Sequence, residues 1–168
     1  HPYHTTLEGF TYEIHDGAGF YEEVFGYSAV LFCHALDLYG RHADARRYLH
    51  SLLALQRPDG LFFARYGYPD NGAMLFTLAE HYRLTGDREW LRGVAPRMIR
   101  MCNWMIQKRK ESMQEVDGKR PVTWGLVKFT PYADYGTHTY DYYGDAYGCV
   151  GMEETTRVLG EIGMKEES

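Results

Sequence analysis

The chain has 168 residues, 45% hydrophobic and 15% aromatic, with a net charge of −5, which suits one ordinary globular domain with a full core. The negative balance disfavours nucleic acid as the main partner, and no run reaches the roughly eighteen apolar residues of a membrane helix. The opening His1-Pro2-Tyr3-His4 lacks the basic start and apolar middle of a signal peptide, so localisation stays open.

Residues 1–23 read as an arm. Up to residue 27 it carries Glu8, Glu13, Asp16, Glu22 and Glu23 and neither Lys nor Arg, whereas fifteen of the eighteen basic residues lie between 41 and 120. The segment 24–39 is apolar on nearly every face and predicts a helix buried all round, stopped by Gly40. A second helix over 43–56 has Ala45, Leu49, Leu52 and Leu53 on one face and Arg46, Arg47 and His50 on others, the pattern of an outer helix. Asp59-Gly60 then marks a turn. The unit repeats: residues 71–84 resemble 26–39, and Gly40 and Gly86 stand 46 residues apart. A long helix over 87–111 follows, with Trp90, Leu91, Val94, Met98, Met101 and Met105 at three- and four-residue spacing and Pro96 inside, where a kink or a split is expected. Its Lys108-Arg109-Lys110 run reads as a solvated helix C-terminus. A third copy of the first helix covers 143–160.

These elements predict a single all-α domain over 1–168, with hairpin 1 at 24–56, hairpin 2 at 71–111 and the first helix of hairpin 3 at 143–163. Short turns join each buried helix to its outer partner, and long connections lead to the next buried helix. The long connections therefore emerge together at the amino ends of the buried helices, where N–H groups are free and the helix dipole is positive. Twelve of the fifteen tyrosines fall in three stretches, 1–27, 59–70 and 124–147, that correspond to these connections. Loops are ordinarily polar, so loops this aromatic pack on each other or hold a ligand.

Cys33, Cys102 and Cys149 are odd in number and widely spaced, which argues against a disulfide framework or a Cys-based metal site, and all three read as core thiols. The eight histidines show no metal-ligand spacing, and Gly17-Ala18-Gly19 does not continue into a nucleotide-binding loop. No metal and no cofactor are expected.

The order of buried helix, short Gly turn, outer helix and long loop resembles the six-hairpin glycosidases, the (α/α)6-toroid superfamily of glucoamylase-like, trehalase-like and α-L-rhamnosidase-like enzymes. The matching residues are Tyr21-Glu22-Glu23-Val24-Phe25-Gly26, Gln56-Arg57-Pro58-Asp59-Gly60, Leu84-Thr85-Gly86-Asp87-Arg88-Glu89-Trp90-Leu91, Trp124-Gly125-Leu126 and Tyr142-Tyr143-Gly144-Asp145-Ala146. The resemblance implies a ring of twelve helices. The five expected here make a partial toroid, completed by a missing remainder of the ring or by self-association.

That likeness implies a glycoside hydrolase acting on a carbohydrate or glycoside. Such hydrolysis needs one carboxylic acid to protonate the leaving oxygen and a second carboxylate as base or nucleophile. Glu22, Glu23 and Asp134 are the candidates for these catalytic roles, because carboxylates beside aromatic surface are desolvated and their pKa rises toward working pH; Glu22 and Glu23 read equally as caps of the first buried helix, and Asp134 also as a hydroxyl contact. Tyr21, Tyr66, Trp124 and Tyr140 are candidates to stack on sugar faces, and Asp70, His138 and Asp141 to hold hydroxyls. Asp70 reads first as a helix cap and second as a hydroxyl contact, and Asp145 reads as a helix N-terminal residue. The alternative function is a non-catalytic carbohydrate-binding or protein-interaction array of hairpins.

Overall fold

In the computed structural model, which describes residues 6–7, 10–11, 14–16, 23–65, 67–129, 138–140 and 142–164, five helices carry the fold. They are α1 (Gly26–Leu38), α2 (His42–Leu53), α3 (Tyr68–Thr85), α4 (Arg88–Ser112) and α5 (Tyr142–Glu161). Two two-residue strands, β1 (Thr6–Leu7) and β2 (Phe10–Thr11), pair antiparallel in the arm. The expected all-α fold of about five helices is what the chain adopts.

Each helix starts and stops for a local reason. Gly40 and Gly86 take left-handed conformations, φ +72° and +66°, that turn α1 into α2 and α3 into α4 without the steric penalty other residues meet there. Asp87 caps α4 by accepting the Trp90 N–H at 2.9 Å. At the start of α3, Pro69 sits where its missing N–H costs nothing, and the Asp70 carboxylate reaches back to the Gly67 N–H at 3.0 Å. Pro96 neither splits α4 nor ends it: the helix is continuous from Arg88 to Ser112, with Pro96 on its exposed side and Ala95 beside it buried.

The helix buried all round is α3, not α1. It touches α1, α2, α4 and α5, and thirteen of its eighteen residues are buried. The expectation for 24–39 fails because apolarity does not supply neighbours: α1 packs on α2 and α3 but leaves Leu31, Phe32 and Leu38 exposed. Helices α2 and α4 form the half-exposed outer layer, and α1, α3 and α5 the inner one.

The three inner helices run parallel. Near their amino ends Gly26 lies against Asp70, and Gly72 against Tyr147 and Gly148. At the far end Asp37 meets His81 and Arg83 meets Glu154. The α3–α5 contact is the most extensive in the molecule, and it is a backbone contact. A Cβ placed on Gly72 would collide with the Tyr147 carbonyl, and one on Gly151 with the Gly72 carbonyl. The main apolar core, including Phe62, Met74, Leu75, Leu78, Leu91, Met98, Met101 and Leu159, lies between the layers.

Two glycines therefore respond oppositely to the same change. Gly151→Ala is expected to destabilise by about 1–3 kcal/mol, because a backbone carbonyl cannot give way as a side chain does. Gly93→Ala, on exposed α4 with nothing near its Cβ, is expected to stabilise by up to about 1 kcal/mol through helix propensity. Urea unfolding of both variants measures the pair.

Candidate functional site

The described parts of the three long connections meet at the amino ends of the inner helices. In the first, Glu23 forms an ion pair with Arg65 of the second, whose guanidinium also lies 5.5 Å from the Phe25 ring centre. Arg65 holds φ +92°, a left-handed backbone rare for a residue with a side chain. The Gly26 N–H donates to the Ala64 carbonyl at 2.8 Å, so the mouth of α1 is stitched to the second connection. The third connection docks through Phe129, which packs on Tyr68 and Gly144.

Asp145 secures that docking. Its Oδ1 accepts the Tyr68 hydroxyl at 3.0 Å and the Val127 N–H at 3.3 Å, linking α5 to α3 and to the third connection. Burial pushes the Tyr68 phenol well above its ordinary pKa, and the nearby Asp145 carboxylate adds to this, so Tyr68 stays a donor.

Across the same end, Tyr27 of α1 and Tyr143 and Tyr147 of α5 form a ring cluster with centroids 5.0–5.7 Å apart, all edge to face. The Tyr27 and Tyr147 hydroxyls are 3.0 Å apart. Burial and the hydrogen bond to Tyr27 push Tyr147 up to about 12, and burial with the same partner raises Tyr143. The Tyr143 and Tyr147 part of the cluster therefore stays neutral at physiological pH. Its phenols are half-wet, with Tyr143 39% exposed and Tyr142 beside it 79%.

The residues singled out from sequence fall in different places. Glu23 is at the rim, half exposed and paired with Arg65. Asp70 is fully buried and caps α3 through Gly67, which matches its reading as a cap and keeps its carboxylate from a ligand in solvent. Trp124 sits half-buried in the turn after α4, with the Arg120 guanidinium 4.8 Å from its ring centre. His138 and Tyr140 are exposed on either side of Thr139, which bridges to Phe129. Glu22, Asp134, Tyr21, Tyr66 and Asp141 lie outside the described residues. Among the described residues no group of three or more His, Cys, Asp or Glu could hold a metal ion, and no helix is long and apolar enough to cross a membrane. Cys33 is buried as expected, but Cys149 is exposed on α5, which packs on α3 with a different face.

Sequence reasoning missed a second polar cluster at the opposite end, beside the short turns. Asp37 of α1 is buried and accepts from Nδ1 of fully buried His81 at 2.8 and 2.9 Å and from Nδ1 of His42 at 2.8 Å. The Nε2 atom of His81 accepts from Arg46 at 3.4 Å, so its tautomer is set from both sides. Arg46 also pairs with Asp87 at 2.8 Å, and Trp90 packs its ring on His81 at 4.4 Å. The available signal was Asp37, the one acidic residue within the largely apolar helix α1. The cluster ties α1, α2, α3 and α4 together.

Compared with known proteins, the chain matches no family model, no curated protein and no solved structure. The fold and the two polar clusters are therefore the basis for a function.

Burial alone would raise the Asp37 carboxyl, but hydrogen bonds from His81 and His42 outweigh it and hold Asp37 below the ordinary carboxylate range. A carboxyl depressed by folding adds stability above its unfolded pKa of about 4 and loses it as pH falls through the folded value. Asp37→Asn is thus expected to lower stability by about 1–3 kcal/mol at neutral pH. It should also flatten the loss of stability below about pH 4, as read by denaturant melts across pH.

Proposed function

We propose that the chain is part of the catalytic domain of a glycoside hydrolase of the α/α-toroid kind, with the sugar held at the aromatic rim over the amino ends of α1, α3 and α5. The observation that carries this reading is the convergence of three long connections on one end, around the half-exposed tyrosines of α1 and α5. Rings with polar tips suit the half-wet faces of sugars. The left-handed backbone of Arg65 beside Glu23 supports it further, because such strain concentrates where side chains must be held for a task.

In this reading a carboxylic acid protonates the glycosidic oxygen while a carboxylate on the other side attacks the anomeric carbon or draws a proton from water. Glu23, Glu22 and Asp134 are the residues for these roles. Glu23 is the one of the three whose side chain is described, set at the rim beside Arg65. The remaining helices of a closed ring come from more of the same protein or from other copies. One observation favours the second reading, a non-catalytic carbohydrate-binding array: Glu23 and Asp70 are already engaged with protein groups.

The two readings separate on hydrolysis of a panel of aryl glycosides and oligosaccharides by the longest form of the protein. Glu23→Gln is expected to lower kcat about 100-fold or more. Tyr143→Ala and Trp124→Ala should each weaken sugar binding about 3- to 10-fold. No turnover by the unaltered protein, with sugar binding present and lost in Tyr143→Ala, would leave the binding array standing, and turnover unchanged in Glu23→Gln would remove Glu23 from the catalytic roles.

A further inference from the structure

Among the described residues, two other than glycine hold a positive φ, Asp117 at +52° and Arg65 at +92°. Asp117 stands with Gly118 in the two-residue turn between Val116 and Lys119, where an Asp side chain enters that backbone readily. Arg65 has no such local reason. Gly67, two residues on, takes φ +90° as glycine can, whereas position 65 carries a long side chain in the same region. In return it makes one ion pair with Glu23, the two side chains 52% and 50% exposed, and approaches the Phe25 ring centre to 5.5 Å. Exposed contacts of this kind contribute less than a strained backbone costs.

The guanidinium is also only partly used. Its Nη1 meets Oε2 of Glu23, and Nε and Nη2 have no hydrogen-bond partner among the described residues. Those two nitrogens carry parallel N–H groups along one edge of a planar fork, and such an edge takes two neighbouring oxygens at once. Its place is the rim: Arg65 follows Ala64, whose carbonyl accepts the Gly26 N–H next to Tyr27. Asp16, Glu23, Asp70 and Asp145 lie at this end, and Glu23 already offsets the guanidinium charge, so hydroxyl oxygens suit the free edge better than a further carboxylate.

We propose that Arg65 orients the sugar at the rim, its Nε and Nη2 donating to two adjacent hydroxyl oxygens of a neutral sugar while Nη1 stays on Glu23. This deepens the reading of the rim as a sugar site and applies to the hydrolase and to the binding array alike. Two neighbouring hydroxyls on a sugar ring bring two acceptor oxygens to the edge together. A sugar that lacks one of them leaves a donor unmatched, so Arg65 also sets specificity.

Calorimetric titration of the longest form of the protein tests it, with 4-nitrophenyl glycosides of neutral hexoses, their deoxy analogues and the matching uronides as probes. Arg65→Gly accepts the backbone without strain, so it is expected to melt no lower than the unaltered protein yet bind neutral glycosides about 10-fold more weakly. Arg65→Lys keeps the charge without the fork and should bind as weakly as Arg65→Gly. A deoxy analogue lacking one of the two hydroxyls should lose less on Arg65→Gly than its parent glycoside does. Melting of Arg65→Gly well below the unaltered protein, neutral-sugar affinity kept in Arg65→Gly, or a loss confined to uronides would each overturn the proposal. Binding weakened in Tyr143→Ala but kept in Arg65→Gly would remove Arg65 alone, and no binding of any probe by the unaltered protein would remove the sugar rim with it.

Discussion

The close approach of α3 and α5 is the constraint on which most of the molecule depends. Glycines at 72, 148 and 151 let two backbones touch, and that contact brings the first turn of α5 to the first turn of α3. From there Asp145 reaches Tyr68 and Val127, Phe129 covers Gly144, and Tyr143 and Tyr147 reach Tyr27. A wider separation would dissolve all of these together. The glycines lose helix propensity, on the order of 1 kcal/mol each, and the packing they admit offsets it.

Parallel inner helices also sharpen the electrostatics. Antiparallel neighbours cancel their dipoles, but here three positive ends lie side by side, each equivalent to roughly half a charge. The acidic residues gathered at that end, Asp16, Glu23, Asp70 and Asp145, answer this field. At the opposite end the carboxyl ends of α1 and α3 lie beside His42, His81, Arg46 and Arg83.

Much of this architecture was legible from residues alone. Gly40, Gly86 and Asp59-Gly60 marked joints that the structure keeps, and Gly40 and Gly86, 46 residues apart, share a left-handed backbone. What failed were inferences that needed knowledge of neighbours. An apolar run announces that a helix wants burial, but only the presence of α1 and α5 on either flank makes α3 the enclosed one. Pro96 looked like a break, yet it lies on the exposed side, where a carbonyl freed by its ring is open to water. The Asp37–His81 pair joins residues 44 apart on separate helices, and nothing in either local segment names the other. At the rim, the gathering of connections followed from the alternation of short and long joints, whereas the engagement of Glu23 by Arg65 and of Asp70 by Gly67 depends on side-chain geometry that no spacing encodes.

The unequal lengths of the joints carry a consequence for how such a chain diversifies. At the end with Gly40 and Gly86, two helices reverse within a few residues and meet a buried ionic cluster, so an added or deleted residue would misalign both. At the other end the described parts of the long connections are fastened through Phe62, Ala64, Phe129 and Asp145. Exposed positions between those fastenings, such as Arg57 and Asp59, can change without disturbing the scaffold. Descendants of this chain would keep one face almost constant while exploring new specificities on the other.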